Sequence, residues 1–314
     1  MLRSTVLILF VWISGPAFAE VPKVITDIAP IQSLVARVMQ GVGTPDVLLP
    51  PGASPHDFAM RPSDAERLAQ ADLVIWMGHA LTPWLEAPVD TLAPDAAKLE
   101  LLDTTGWTML PVRTDAAFAG EEHEEEHVEE RVEDAGHAHS DADPHAWLDP
   151  SNAGMFMTLM AQALSDLDPE NAAAYTANAA AAQGEMTALK AETLAVLAPL
   201  AGATFIVPHD AYQYFEAAFG MPSAGAISLT DASTPGPARV AELQDKVATG
   251  AITCVLTDPQ TSPEWTDVLR EGSIARTAFV DPDGGSQAAE FANLADLYPA
   301  IIRQIAAGLT DCLG

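Results

Sequence analysis

Histidines set beside acidic residues and prolines carry the clearest chemistry in this sequence. Four of the eight histidines lie between Glu121 and Asp143, among eleven acidic residues and one arginine. Imidazoles among carboxylates suit loose capture of a borderline divalent metal ion. The stretch has no apolar period, so we predict a mobile loop over 120–143. Its histidines are candidate weak metal ligands, or incidental members of a solvated charge run: His123, His127, His137 and His139.

The remaining histidines stand at positions better suited to a built site. His56 lies past the carboxyl end of one predicted strand, and His209 directly follows another. His145 lies in a rigid Asp-Pro-His turn before a helix, and Asp281 again follows a strand. In open α/β sheets the carboxyl ends of the strands form the ligand crevice. Three imidazoles and one carboxylate make a near-tetrahedral set that suits zinc.

Each of these residues also has an ordinary structural interpretation. A histidine at a strand end is commonly a hydrogen-bonded surface residue, and Asp281 begins an Asp-Pro-Asp-Gly turn. We interpret His79, which follows a glycine after a strand, as a surface residue. Asp57 and Asp210 are candidates for orienting the imidazoles, or they are helix N-caps.

Apolar runs alternate with helical patterns along the chain, and this order predicts an α/β fold. The runs are continuously apolar, as is typical of parallel strands covered by helices on both faces. Predicted strands cover 24–28, 46–49, 73–77, 99–103, 204–207, 224–229, 252–257 and 277–280. Predicted helices cover 30–41, 64–70, 211–219, 237–249, 263–271 and about 291–309, with Ser63 and Glu66 as a capping box for the second.

A long helical pattern divides the chain into two halves of about four strands each. It runs from Pro169 to Leu200, with Asp168 as the expected N-cap. We predict a rigid helix joining two α/β lobes; the alternative is one more crossover in a single sheet. The expected divisions are a signal peptide, an N-terminal lobe, a linking helix and a C-terminal lobe, at 1–19, 20–165, 166–200 and 201–314.

The first residues predict that the protein is exported, and the composition limits its partners. A basic residue, a short apolar core and Ala17-Phe18-Ala19 predict a cleaved signal peptide, with an uncleaved anchor as the alternative. A net charge of −30, about a third of it in the acidic stretch, argues against nucleic acid and anionic membranes as partners.

In an exported protein, Cys254 and Cys312 favour a disulfide over soft metal ligands. Such a bridge stabilises a fold by about 4 kcal/mol.

Four motifs in this sequence resemble a known family. They are residues 49–58 followed by Arg-Pro-Ser-Asp, residues 143–150, residues 208–215, and Asp281-Pro282. They resemble the ligand loops of the ZnuA-like, zinc-specific periplasmic solute-binding proteins of bacterial ABC importers, within the cluster A-I metal receptors. The resemblance covers essentially the whole mature chain and includes a His-rich insertion before the second loop.

The resemblance implies a function as well as a fold. It implies a periplasmic, non-enzymatic receptor, monomeric, that holds Zn²⁺ between its lobes. The implied receptor delivers the ion to an inner-membrane permease coupled to an ATPase. A periplasmic zinc chaperone is a further candidate partner. The implied ligands are His56, His145, His209 and Asp281. Some zinc members carry a glutamate where this chain has Pro55, so the fourth ligand here is Asp281 or a water.

Three other functions stay open at the level of sequence. Manganese receptors of the wider family usually have a carboxylate at the position of His209, and imidazole suits zinc better. An exported zinc hydrolase is a second alternative, although the sequence has no GxSxG motif and its one HExxH pattern, residues 123–127, lies in the acidic stretch without an apolar helical period. A metal-buffering protein without a transporter is the third.

Overall fold

Two four-stranded sheets form the centres of two α/β lobes. The structure, a computed structural model, describes residues 20–116 and 142–314. The expected signal peptide and the four histidines of the acidic stretch lie outside these residues. The N-terminal half contains β1 (Val24–Thr26), α1 (Ala29–Val38), β2 (Asp46–Val47), α2 (Pro62–Leu68), β3 (Leu73–Trp76), α3 (Glu86–Leu92) and β4 (Ala97–Glu100). Two helices follow: α4 (Pro150–Leu167) and α5 (Ala172–Leu197).

The second lobe repeats the arrangement of the first. It contains β5 (Phe205–His209), α6 (Gln213–Phe219), β6 (Ala226–Ser228), α7 (Pro237–Ala248), β7 (Cys254–Thr257), α8 (Pro263–Arg270), β8 (Arg276–Phe279) and α9 (Leu297–Leu313). The strand orders are β2-β1-β3-β4 and β6-β5-β7-β8, and every pair is parallel. In each sheet the second strand lies on one side of the first strand, and the third and fourth strands lie on the other side. Open α/β sheets bind ligands at such a switch point, at the carboxyl ends of the strands.

Burial explains where the predicted strands were accurate and where they shifted. The central strands β3 and β5 are buried along their whole length, as their apolar runs predict. The edge strand β4 has no fully buried residue and begins at Ala97. The predicted range 99–103 therefore lay too far towards the carboxyl end of the chain. Its apolar residues Leu101 and Leu102 follow the strand and are buried beneath it.

The predicted capping box of the second helix was wrong. Helix α2 begins at Pro62, which fits the first turn because proline has no N–H to leave unpaired. The carboxylate of Asp64 accepts a hydrogen bond from the backbone N–H of Arg61 at 3.0 Å. Asp64 thus takes the role assigned to Glu66, because the helix starts earlier than Ser63 and Glu66 indicated.

Helix α5 joins the lobes, as predicted, although it is shorter than the pattern indicated. It starts after a turn in which Asp168 accepts hydrogen bonds from Asn171 and Tyr175 at 2.7 and 2.8 Å. On one side Asn178 donates to two backbone carbonyls at the end of α1. On the other, Arg303 of α9 forms a paired ion bridge with Glu192. The helix is therefore fixed to both lobes.

One apolar core runs through both lobes rather than stopping at their boundary. It includes residues of α1, α4, α5 and α9, and smaller clusters cover the outer faces of the two sheets. Cys254 and Cys312 form the predicted disulfide, which ties the start of β7 to the end of α9. A shared core of this kind restricts movement between the lobes. No helix within the described ranges is long and apolar enough to cross a membrane.

Candidate metal centre

His56 is held by a loop that follows β2. The hydroxyl of Ser54 accepts hydrogen bonds from the backbone N–H groups of His56 and Asp57, at 3.1 and 3.3 Å. The indole of Trp84 donates to the carbonyl of Pro55 at 2.8 Å. Although the loop is partly exposed, the Nε2 atom of His56 is buried, and it has no hydrogen-bond partner within the described residues.

His145 is set by its own Asp-Pro-His motif. Asp143 Oδ1 accepts from both the backbone N–H and the Nδ1 of His145, at 2.9 and 2.8 Å. The side chain is almost completely buried, and its Nε2 has no partner in the part of the chain that the structure describes. The next residues tie this motif to the second lobe: Trp147 donates to the carbonyl of Pro282 at 3.0 Å, and Tyr298 donates to the carbonyl of Trp147 at 2.6 Å.

His209 is the last residue of β5, in the centre of the second sheet. Its Nδ1 lies 2.9 Å from Asp258 Oδ2, and Asp258 is the first residue after the neighbouring strand β7. The other oxygen of Asp258 accepts from the backbone N–H of Thr261 at 2.7 Å. A carboxylate on Nδ1 fixes the ring and leaves Nε2 as the atom that can bind a metal.

The three imidazoles, from both lobes, lie side by side. The ring centroids of His56 and His145 are 5.4 Å apart, and those of His145 and His209 are 5.9 Å apart. His56 and His145 line an interlobe cleft of about 330 Å³, bordered on the second lobe by Asp210 and Thr230. Among residues 20–116 and 142–314, no three His, Cys, Asp or Glu side chains lie close enough together to hold a metal ion in this conformation. The rings thus converge on a shared space without closing around one point.

The surroundings of the rings control their protonation. Burial, reinforced by the neighbouring His145, lowers the pKa of His56 to about 3. Burial also lowers the pKa of His145 to about 3. Burial opposes the charged form of His209 as well, but the hydrogen bond and charge of Asp258 raise its pKa above the ordinary value. Two of the three rings are therefore neutral, and able to bind a metal, well below neutral pH.

The residues that orient the imidazoles are not the ones expected from the sequence. Asp210 forms an ion pair with Arg113 at 2.9 Å, and Asp57 is exposed. The partners of His145 and His209 are instead Asp143 and Asp258. The reason is geometric: a side chain adjacent to a histidine in an extended chain points away from it, whereas Asp143 reaches back across a turn and Asp258 lies on the next strand.

The sequence contained signals for both of these aspartates. Asp143 stands two residues before His145, the spacing at which an aspartate accepts from the backbone ahead of it. Asp258 begins an Asp-Pro pair directly after a predicted strand, which is the feature that singled out Asp281. His79 is a surface residue, as expected, and its Nδ1 lies 2.7 Å from Glu86.

Asp281 is fully buried at the end of β8, and its carboxylate is occupied by the turn that follows. One oxygen accepts from the backbone N–H groups of Asp283 and Gly284 at 3.2 and 2.9 Å. The other accepts from the backbone N–H of Ser286 at 2.9 Å and from its hydroxyl. The structural interpretation of this Asp-Pro-Asp-Gly turn therefore holds, and a ligand role for Asp281 stays a prediction.

Two α/β lobes that share a rigid helix and present imidazoles to a common cleft define a two-lobe binding protein with a ligand site between its lobes. The chain belongs to the ZnuA family, described as the periplasmic component A of a zinc-uptake complex, whose family model matches residues 24–312.

Individual relatives agree over nearly the full length. The high-affinity zinc uptake system protein ZnuA of Paracoccus denitrificans is 40% identical, with 95% of this chain and 94% of that protein aligned. The protein of the same name from Yersinia pestis is 29% identical, covering 99% and 98%. A crystal structure of ZnuA superposes with a TM-score of 0.76 at 20% identity, covering 94% of this chain and all of that one. A laminin-binding protein of Streptococcus agalactiae has the same fold, with a TM-score of 0.73 at 20% identity, covering 92% and 99%.

Proposed function

We propose that this chain is a periplasmic receptor that binds Zn²⁺ between its lobes and delivers it to an ABC-type importer. The observation that carries the proposal is the convergence of three imidazoles from both lobes, two of them held through Nδ1 by a buried carboxylate. Relatives that align over nearly the whole chain are named high-affinity zinc uptake proteins, which supports zinc as the transported ion.

His56, His145 and His209 bind the ion through their Nε2 atoms. For His56 and His145, the free Nε2 is buried and faces no other partner in the described chain. Zinc takes histidine nitrogens at about 2.0–2.1 Å in a tetrahedral set, so binding draws the rings closer than their present spacing. Because zinc is a better match than manganese for three imidazoles, we expect the site to prefer zinc.

Location and delivery follow from the same proposal. The chain is exported through its first nineteen residues, acts as a monomer, and docks on a permease at the inner membrane. The histidines of the acidic stretch gather zinc weakly, outside the transport site. A zinc chaperone in the same compartment is a candidate donor of the ion.

Metal titration of residues 20–314 tests the binding step. Chelator-stripped protein should bind about one zinc ion tightly in competition with a fluorescent chelator, and manganese should bind far more weakly. Equal or tighter manganese binding would contradict the proposal. Delivery is tested by growth in zinc-limited medium: a bacterial strain lacking its own zinc receptor should be rescued by the wild-type chain together with its cognate permease, but not by a His209→Ala variant.

A further inference from the structure

One short turn of the second lobe contacts the supports of all three histidines of the site. It follows β8 and covers residues 281–286, with the sequence Asp-Pro-Asp-Gly-Gly-Ser. Its first residue, Asp281, is fully buried and accepts four hydrogen bonds from within the turn. The backbone N–H of Asp281 also donates to the side chain of Gln304, on α9, at 3.1 Å. The 281–286 turn is therefore fixed from inside and anchored on the second lobe.

The turn approaches the loop of His56 at Gly285. A Cβ atom at this position would lie 3.2 Å from the Cα of Pro51 and 3.3 Å from the backbone N of Gly52, in the loop that leads to His56. The neighbouring Gly284 has a φ of 63°, whereas Gly285 does not have a positive φ. The missing side chain of Gly285 therefore serves the close approach of the two lobes and is not needed for the conformation of the turn.

A second contact joins the turn to the motif of His145. The indole N–H of Trp147 donates to the carbonyl of Pro282 at 3.0 Å. Trp147 is completely buried, and its ring centroid lies 5.3 Å from that of His145. Tyr298, at the start of α9, holds the same segment by donating to the carbonyl of Trp147 at 2.6 Å. Displacing the turn would therefore move the support of a second imidazole.

The third contact leads to His209. Asp283 accepts a hydrogen bond from the amide of Gln260 at 2.8 Å. Gln260 belongs to the short segment between Asp258 and Thr261. Asp258 holds the ring of His209 and accepts from the backbone N–H of Thr261. One turn is thus connected to the segments that carry or orient each of the three imidazoles.

We propose that the 281–286 turn positions the three imidazoles relative to one another, and that Gly285 sets how closely the His56 loop approaches the second lobe. This inference rests on the proposed zinc-binding function and names residues that position its ligands, without adding a ligand. A binding site works only if its groups are held within about 0.5 Å of the productive geometry. Because zinc draws the rings closer together, the His56 loop needs the space that Gly285 leaves free.

Gly285→Ala tests the contact with the His56 loop. The added Cβ meets backbone atoms, which cannot rotate aside as the end of a side chain can, so the loop has to move away. Zinc affinity, measured by chelator competition, should fall by about tenfold, and Gly285→Val should lose more. Gly236→Ala is the matched control and should keep the wild-type affinity. Gly236 is exposed, lies in the same lobe and has a φ of −71°, and a Cβ there would meet no described atom within 4 Å beyond its chain neighbours.

A double-mutant cycle separates positioning from a general loss of stability. If Gly285 acts through His56, Gly285→Ala should cost little further affinity in a His56→Ala background. A general destabilisation would instead cost the same in both backgrounds. In Co²⁺-loaded protein, Gly285→Ala should also alter the visible absorption spectrum, which reports the metal's ligands, whereas Gly236→Ala should not.

Gln260→Ala tests the turn independently of Gly285. It removes the bond between Asp283 and the segment that carries Asp258, so zinc affinity should fall several-fold, and this loss should disappear in an Asp258→Asn background. Wild-type zinc affinity in folded Gly285→Ala, or losses that simply add in either cycle, would overturn the inference. Should Gly285→Ala fail to fold in denaturant unfolding, Gln260→Ala and its cycle decide. If the wild type binds zinc tightly and these variants do too, only this inference fails; if the wild type itself binds no zinc tightly, the proposed function fails.

Discussion

Asp258 lies at the end of β7 and holds Nδ1 of His209, at the end of the adjacent strand β5, at 2.9 Å. The two residues are 49 positions apart in sequence, yet parallel pairing of their strands places them side by side. The carboxylate fixes the ring and increases its basicity as a ligand.

Asp258→Asn should therefore weaken zinc binding without removing a ligand. We expect a loss of about 10- to 100-fold in affinity, the usual effect of removing a carboxylate behind a metal-bound histidine. Asp143→Asn should have an effect of the same size through His145. Chelator competition gives the affinities, and Asp57→Asn is the control. An unchanged affinity in both variants would show that these hydrogen bonds do not support the metal.

Removing an imidazole should have a larger effect. His145→Ala and His209→Ala should each abolish tight zinc binding in calorimetric titration, since each deletes a buried ligand of the proposed set. His79→Ala is the matched control, because His79 is exposed and paired with Glu86. If either buried variant retained the wild-type affinity, that residue would have to be removed from the site.

The pH dependence of binding should reflect the unequal pKa values of the rings. His56 and His145, with pKa values lowered to about 3, carry no proton at pH 6 and release none when zinc binds. His209, with a pKa raised above the ordinary value, is mostly protonated at pH 6, and so is Asp143, whose pKa burial raises to about 7. Zinc should therefore release about one to two protons at pH 6. Calorimetry in buffers of different ionisation enthalpy measures this number, and a value near three would contradict these shifts.

Deleting residues 121–141 should leave the tight site intact. The two flanks of this segment meet in a bridge between Pro111 and Ala142, and the N–H of Asp143 donates to the carbonyl of Leu110 at 2.9 Å. The deletion removes the four candidate weak ligands and should lower only the number of weakly bound ions. Equilibrium dialysis at rising zinc concentration distinguishes the tightly bound ion from the weakly bound ones. Loss of the tightly bound ion on deletion would show that the tight site lies in the acidic stretch.

The disulfide should contribute stability without contributing to binding. Replacing Cys254 and Cys312 with serine should lower the free energy of unfolding by about 4 kcal/mol on the chain-entropy model. The pair ties the start of β7 to α9, whereas Asp258 follows the other end of that strand. Denaturant unfolding checks the first expectation, and a zinc titration of the folded variant checks the second. A large loss of affinity would show that the bridge positions the site.

The sequence by itself determined the fold class, the two lobes and the histidines to consider. Apolar runs of strand length, separated by helical patterns, are local signals, so they can be recognised without knowing which segments pack together. The observed ends of two elements differ from the predicted ones. Strand β4 begins earlier because exposed residues belong to this edge strand, and helix α2 begins earlier, at Pro62. The pair Cys254–Cys312 was predictable because an exported chain with two cysteines leaves few alternatives.

Only the tertiary structure decided which acidic residue serves which histidine. Asp57 and Asp210 are neighbours of histidines in sequence, but they lie on the surface or pair with Arg113. Asp258 follows β7 and reaches the imidazole of His209 because parallel pairing brings the carboxyl ends of β5 and β7 to one edge of the sheet. Spacing in sequence sets the distance between two residues only when both lie in the same helix, strand or turn. The hydrogen bond between His209 and Asp258 joins two different strands, so only the folded structure could show it.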